Sequence, residues 1–273
     1  MLALCASCHG TSGTLVYLTD SAASAGAGGT PSGAPQFLPS PGTTWQVQLT
    51  GTLDSSFDVQ FYELDLFALD PKDVQTLHDA GRALGCYVSV GSAEPWRPDY
   101  ANFPSSALGK PLADYPQELW LDVRDAGVRQ VMTQRLQLAA SSGCQAVELS
   151  NLQAYSEDSG FPLTQADELS YAQSLIEQCH ALGLSAGISA GDDLVPALVP
   201  SADWGLTEEC LSYDDCAAWQ PFTNAGKAVF MIEYGSSKDA PVLCPEAAKL
   251  GFSLAIKRRA LDAFRVGCEV AQP

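Results

Sequence analysis

Short apolar runs recur along the chain: WQVQL at 45–49, VQFYELDLF at 59–67, GCYVSV at 85–90, QAVEL at 145–149, LSAGIS at 184–189, ADWGL at 202–206, AVFMIEY at 228–234 and GFSLAI at 251–256. Near-continuous apolar runs of this length suit strands that are buried on both faces. Between them the period changes. PKDVQTLHDAGRALG, VRQVMTQRLQLAASSG and LSYAQSLIEQCHALG space their apolar residues near 3.6 and end on glycine, as amphipathic crossover helices do. Strands alternating with helices over roughly 230 residues predict one α/β domain, a closed (β/α)8 TIM barrel, with an open doubly wound sheet as the alternative. ELWLDV at 118–123 reads as an extra strand or hairpin inserted after the third strand.

Residues 19–44 break the pattern, being mostly Ser, Ala, Gly, Thr and Pro, with too little apolar surface to offset the entropy of ordering them. The expected division is a poorly ordered, removable leader and linker over 1–44 and a folded domain over 45–273.

Composition narrows the partners. The chain of 273 residues is 46% apolar and 17% charged, as a packed globular protein is. A formal charge of −18 argues against nucleic acid, because a phosphate-binding face must be basic. Most of those carboxylates read as solvated surface, and attraction of a cationic ligand is the functional alternative. No run of about 18 apolar residues occurs, so no membrane helix is expected. Nine cysteines point to an oxidising compartment, hence to a secreted or cell-wall-associated protein, although MLALCASC lacks the basic flank and apolar core of a signal peptide. Cys210 and Cys216 are the first choice for a bridge, the odd count leaves at least one cysteine without an intramolecular partner, and a monomer is expected.

In a barrel of this kind the chemistry concentrates at the C-terminal strand ends. The polar residues ending the apolar runs are acidic: Asp65, Asp122, Glu148, Glu208 with Glu209, and Glu233. Carboxylates there imply a wet cleft, since a buried unpaired one would cost several kcal/mol, in the range of about 2–7 kcal/mol for a polar group. Two such groups on separate strands, one protonated and one ionised, are what glycoside hydrolysis needs. Trp45, Tyr62, Trp96, Trp120, Tyr155, Trp204 and Tyr234 suit stacking on sugar rings, against the plainer reading of core or rim packing. Arg97 and Arg124, in WRPD and LDVR, are expected to orient Asp99 and Asp122. CASCH at 5–9 fits a haem-attachment pattern but reads as a stray disulfide or free thiols. With His9, His78 and His180 alone, a histidine metal site is hard to build, so neither metal nor cofactor is expected.

WQVQLTG (45–51), ELDLF (63–67), YVSVGSAEPWRPD (87–99), LWLDVR (119–124), AVELSN (146–151), SGFPLT (159–164), TEECLSYDDC (207–216) and VFMIEY (229–234) resemble the ordered motifs of glycoside hydrolase family 114. The resemblance covers about 45–256. It implies a (β/α)8 fold and endo-cleavage of α-1,4-linked galactosamine polymers, cationic amino-sugar polysaccharides. The family's catalytic Glu falls on Glu208; its Asp, in a Glu-Pro-Asp-Asn motif, falls on Ser150 of Glu148-Leu149-Ser150-Asn151. A hydroxyl cannot serve as that carboxyl. Gln153, Ser189-Ala190-Gly191 and Thr207 depart from the family in the same neighbourhood. Two readings follow: a hydrolase using Glu208 with Glu148 or Asp65, with Ser150, Asn151 and Glu233 among the substrate contacts, or a paralogue that binds carbohydrate without turning it over.

Overall fold

The computed structural model describes residues 35–268. Eight parallel strands, each paired with the next, run β1 (Trp45–Gln48), β2 (Phe61–Asp65), β3 (Ala83–Ser89), β4 (Ala146–Leu152), β5 (Ser185–Ala190), β6 (Trp204–Glu208), β7 (Val229–Tyr234) and β8 (Ser253–Lys257). Each coincides with one of the apolar runs. A ninth strand, β9 (Val266–Cys268), lies antiparallel on β8 and has no counterpart among them, being too short to show a period.

The β8 to β1 seam is bridged by the segment after β8. Leu49 and Thr50 donate their amides to Leu261 O, Arg265 Nε donates to Trp45 O at 2.6 Å, and Gln46 Nε2 to Ala263 O at 3.2 Å. Lys257, wholly buried, donates from Nζ to Gln46 Oε1 and to Asp262 O. Ahead of β1, Phe37 stacks on Phe61 with centroids 5.2 Å apart. The rest of the expected leader, residues 1–34 with Cys5–His9 in it, lies outside the described residues.

Local signals explain where the outer helices begin. Asp70 and Asp125 cap α1 (Pro71–Asp79) and α2 (Ala126–Ser141) by accepting the Lys72 and Gly127 amides, and Thr164 with Asp167 forms a capping box on α3 (Gln165–Ala181). Gly143 and Gly183 stop α2 and α3 at φ 92° and 75°, a conformation that suits glycine. After α1 that part is played by Gly81, while Gly85 belongs to β3, where a Cβ would come within 2.3 Å of the Phe61 ring.

The barrel interior is plugged at its N-terminal end by aromatics. Phe230 lies 4.7 Å from Trp45, 5.3 Å from Phe61 and 5.3 Å from Trp204, centroid to centroid. Burying each ring contributes about 2–3 kcal/mol, and the plug leaves only the C-terminal end open. Trp45 is thus core, not a sugar platform, because it opens β1 at the closed end. Tyr62 is also core. It faces away from Phe61 and packs under the helices, with its hydroxyl on Phe57 O.

ELWLDV supplies the central strand of a three-stranded antiparallel sheet, Ser92–Ala93, Leu119–Leu121 and Leu108–Pro111, inserted between β3 and α2. Disulfides join Cys86 to Cys144, Cys210 to Cys216 and Cys244 to Cys268; Cys179 is a buried thiol. No helix among the described residues is long and apolar enough to cross a membrane.

Candidate active site

Above the aromatic plug the strand ends open into a cleft with two lobes, of about 630 and 720 Å³, that meet at Ser150, Leu206, Glu208 and Tyr234. Alternation along the strands decides which predicted residues reach it. On β2, Asp65 shares the interior face with Phe61 and Glu63; on β4, Glu148 and Ser150 share theirs with Ala146.

Glu148 forms part of the floor of the first lobe. It is 3% exposed, and that burial is the main cause pushing its carboxyl up to about 7, with the charge of Glu208 adding to it. Hydrogen bonds from Glu63 and Ser150 work in the opposite direction. Glu208 ends β6 between the lobes and is exposed to the cleft. The protein packed around it raises its proton affinity too, opposed by a short hydrogen bond from the Tyr234 hydroxyl. Arg259 lies 4.7 Å above the Tyr234 ring and pairs with Glu209 at 2.8 Å, so a cation, a phenol and two carboxylates form one chain along the rim. Glu209 itself sits at φ 58°, in the left-handed region.

The wall of the first lobe is tied together by Arg97. Its guanidinium binds Glu94 with Nε and Nη2 and Asp65 with Nη1, all at 2.7 Å. Asp65 also accepts the Phe67 amide, so its oxygens are engaged in holding the wall. That corrects the expectation for Arg97: its acids are Asp65 and Glu94, while Asp99 is held by Arg135 at 2.8 Å. Asn151, at φ 66°, lines both lobes and donates to Ser89 Oγ at 2.9 Å. Trp96 projects into the first lobe with half its surface exposed.

Other expected contacts lie elsewhere. Asp122 and Arg124 pair with each other at 2.8 Å at the entry to α2, away from the cleft lining, because the run that carries them belongs to the inserted sheet. Tyr155 is turned onto Asp193 by a short hydrogen bond, outside the lining residues. Glu233 points to the other side of β7 from Tyr234 and accepts Leu211 N and Ser212 Oγ, each at 2.8 Å, holding the turn closed by Cys210–Cys216. Conversely, the cleft gains residues that a reading of strand ends passes over. Tyr115, from the inserted sheet's loop, and Tyr213, beyond β6, are both largely exposed aromatics on its border. Asp192 and Asp215 line the second lobe, and burial raises the proton affinity of both.

The cleft therefore carries two carboxyls of raised proton affinity, Glu148 and Glu208, in one lining, together with the aromatics Trp96, Tyr115 and Tyr234. Ega3 of Aspergillus fumigatus, solved in complex with galactosamine, is 35% identical over 86% of this chain and 99% of its own, with a TM-score of 0.82. The glycoside hydrolase domain of PelA from Pseudomonas aeruginosa (15% identity, 82% and 96% coverage, TM-score 0.64) and the α-galactosidase TtGalA from Thermus thermophilus (12%, 84% and 60%, 0.56) share the fold. No curated protein matches in sequence. Residues 26–272 match glycoside-hydrolase family GH114. With all of the described residues inside that match, the protein belongs to family GH114.

Proposed function

We propose that this protein is a secreted, monomeric hydrolase of α-1,4-linked galactosamine-containing polysaccharide, with Glu148 as proton donor and Glu208 as the ionised partner. The observation that carries the reading is Glu148: a buried acid, protonated up to about 7, that opens onto the same cleft as Glu208 although Ser150 occupies the family's Asp position. A general acid needs a proton affinity near the working pH, and burial supplies it. Ega3, solved with galactosamine, supports the substrate class. The acidic lining of the second lobe favours the ammonium groups of such a polymer. Three disulfides support an oxidising location.

In this reading Glu148 protonates the leaving oxygen while Glu208 either bonds to the anomeric carbon or takes a proton from the attacking water. The configuration of the first product, read by NMR, tells which. Glu208→Gln and Glu148→Gln should each reduce oligosaccharide release by at least about a hundredfold. Activity should fall as pH rises through about 7, where Glu148 loses its proton. Full activity in either variant would remove that residue from the mechanism.

Ser150 favours the second reading, a carbohydrate-binding paralogue. Under that reading the protein retains the polymer without cleaving it at any pH, and Ser150→Asp gains turnover.

A further inference from the structure

Beneath the cleft lies a carboxyl that the proposed reaction leaves unused. Glu63, in mid-β2 on the interior face, is 0% exposed. Neither of its oxygens is reached by an N–H or O–H donor of another group among the described residues. What does lie within hydrogen-bonding reach is the Glu148 carboxyl. On the intervening strand β3, Glu63 is in register with Gly85 and Glu148 with Tyr87, two residues further along, so the two acids lie one interior layer apart on strands that flank β3. Two carboxyl groups hydrogen-bond only when one of them carries a proton. Glu63 is the one that keeps it, since it is fully enclosed and faces the charges of both Glu148 and Glu208.

We propose that Glu63 is a positioning residue for the hydrolysis: its neutral carboxyl donates to one oxygen of Glu148, fixing that side chain and turning the other oxygen to the cleft. This rests on Glu148 being the proton donor. When the Glu148 proton passes to the glycosidic oxygen, the C–O bond breaks with its electron pair on that oxygen. The anomeric carbon takes a new pair from Glu208, or from a water whose proton Glu208 accepts. The anion left on Glu148 is then held by the hydroxyls of Glu63 and Ser150: in the first case until it takes a proton from the water that attacks the anomeric carbon and breaks its bond to Glu208, in the second until solvent returns to it the equivalent of the proton that Glu208 accepted and releases. The groups facing Glu148 are Glu63 from β2, Tyr87 from β3, Ser150 on its own strand and Glu208 from β6. Burial keeps the Tyr87 phenol neutral. Glu63 and Ser150 are thus the donors to the Glu148 anion, and Glu208 the opposing charge.

The test uses the full chain with Glu63→Met, which keeps the volume and removes the donor, and Glu63→Gln, which retains an N–H donor. Two readouts are taken: the pH dependence of kcat, and the 13C NMR titration of the Glu148 carboxyl, assigned by its loss in Glu148→Gln. In Glu63→Met the Glu148 titration and the basic limb of kcat should both move up by roughly one pH unit or more. Its kcat should fall about tenfold or more with KM little changed, and Glu63→Gln should restore most of both. Titration and limb unchanged in Glu63→Met would overturn the proposal; Glu63→Leu replaces it if the methionine variant does not fold. A wild-type protein that binds polymer without cleaving it would sink the hydrolase reading alone, because the NMR titration still reports whether Glu63 acts on Glu148.

Discussion

In the proposed mechanism, Glu148 couples function to stability through a single carboxyl. In the fold its carboxyl keeps its proton up to about 7, against an ordinary value of 4.5. Between those values the unfolded chain releases the proton while the folded chain retains it, so stability falls as pH rises across that window and levels off above it. Glu148→Gln carries no such penalty. It should match the wild type near pH 4 and exceed it by on the order of 3 kcal/mol at pH 8, several degrees in Tm for a domain of this size, while losing activity. A Tm difference that does not change with pH would show that Glu148 ionises freely in the fold. Glu148 and Glu208 were legible in the sequence because each closes an apolar run. Glu63 was not, since it sits in mid-strand, where only the packed interior reveals that it faces another acid. The sequence misplaced Trp45 and Tyr62 for a related reason: a strand's apolar run does not say which residues face the interior or which end is closed.

At the scale of elements, the eight runs matched the eight parallel strands because strands buried on both faces leave so strong a mark. The inserted sheet was visible only as one extra run, so what it contributes, Tyr115 and the Glu94–Arg97 clamp, emerged from the fold. Arg97 ties that insertion to β2 through Asp65 and is nearly buried. Arg97→Met would leave Asp65 and Glu94 as neighbouring, poorly solvated carboxylates without their shared cation. A loss of about 3–5 kcal/mol is expected for breaking a buried pair from one side, read as a lower urea midpoint. Arg97→Lys should recover only part, because one ammonium cannot replace the three bonds that the guanidinium makes to two acids. A midpoint within error of wild type in the methionine variant would mean that the wall is held by packing alone.

For the whole molecule, the charge of −18 and the cleft's acidic second lobe would act together on the cationic polymer proposed as substrate. A field of this sign raises the local concentration of the ligand and speeds encounter, and salt screens it with a Debye length of about 10 Å at 0.1 M. Raising NaCl from about 50 to about 500 mM should therefore weaken binding of polygalactosamine by roughly tenfold or more, mostly through slower association. Aromatic stacking and hydrogen bonds respond little to salt, so a fully N-acetylated polymer, which lacks the ammonium groups, should bind more weakly at low salt and show almost no salt dependence. Surface plasmon resonance on immobilised polymers of both kinds measures the two slopes side by side. Equal slopes would mean that the acidic surface is only a solvated face and that recognition rests on the aromatics and the strand-end carboxyls alone.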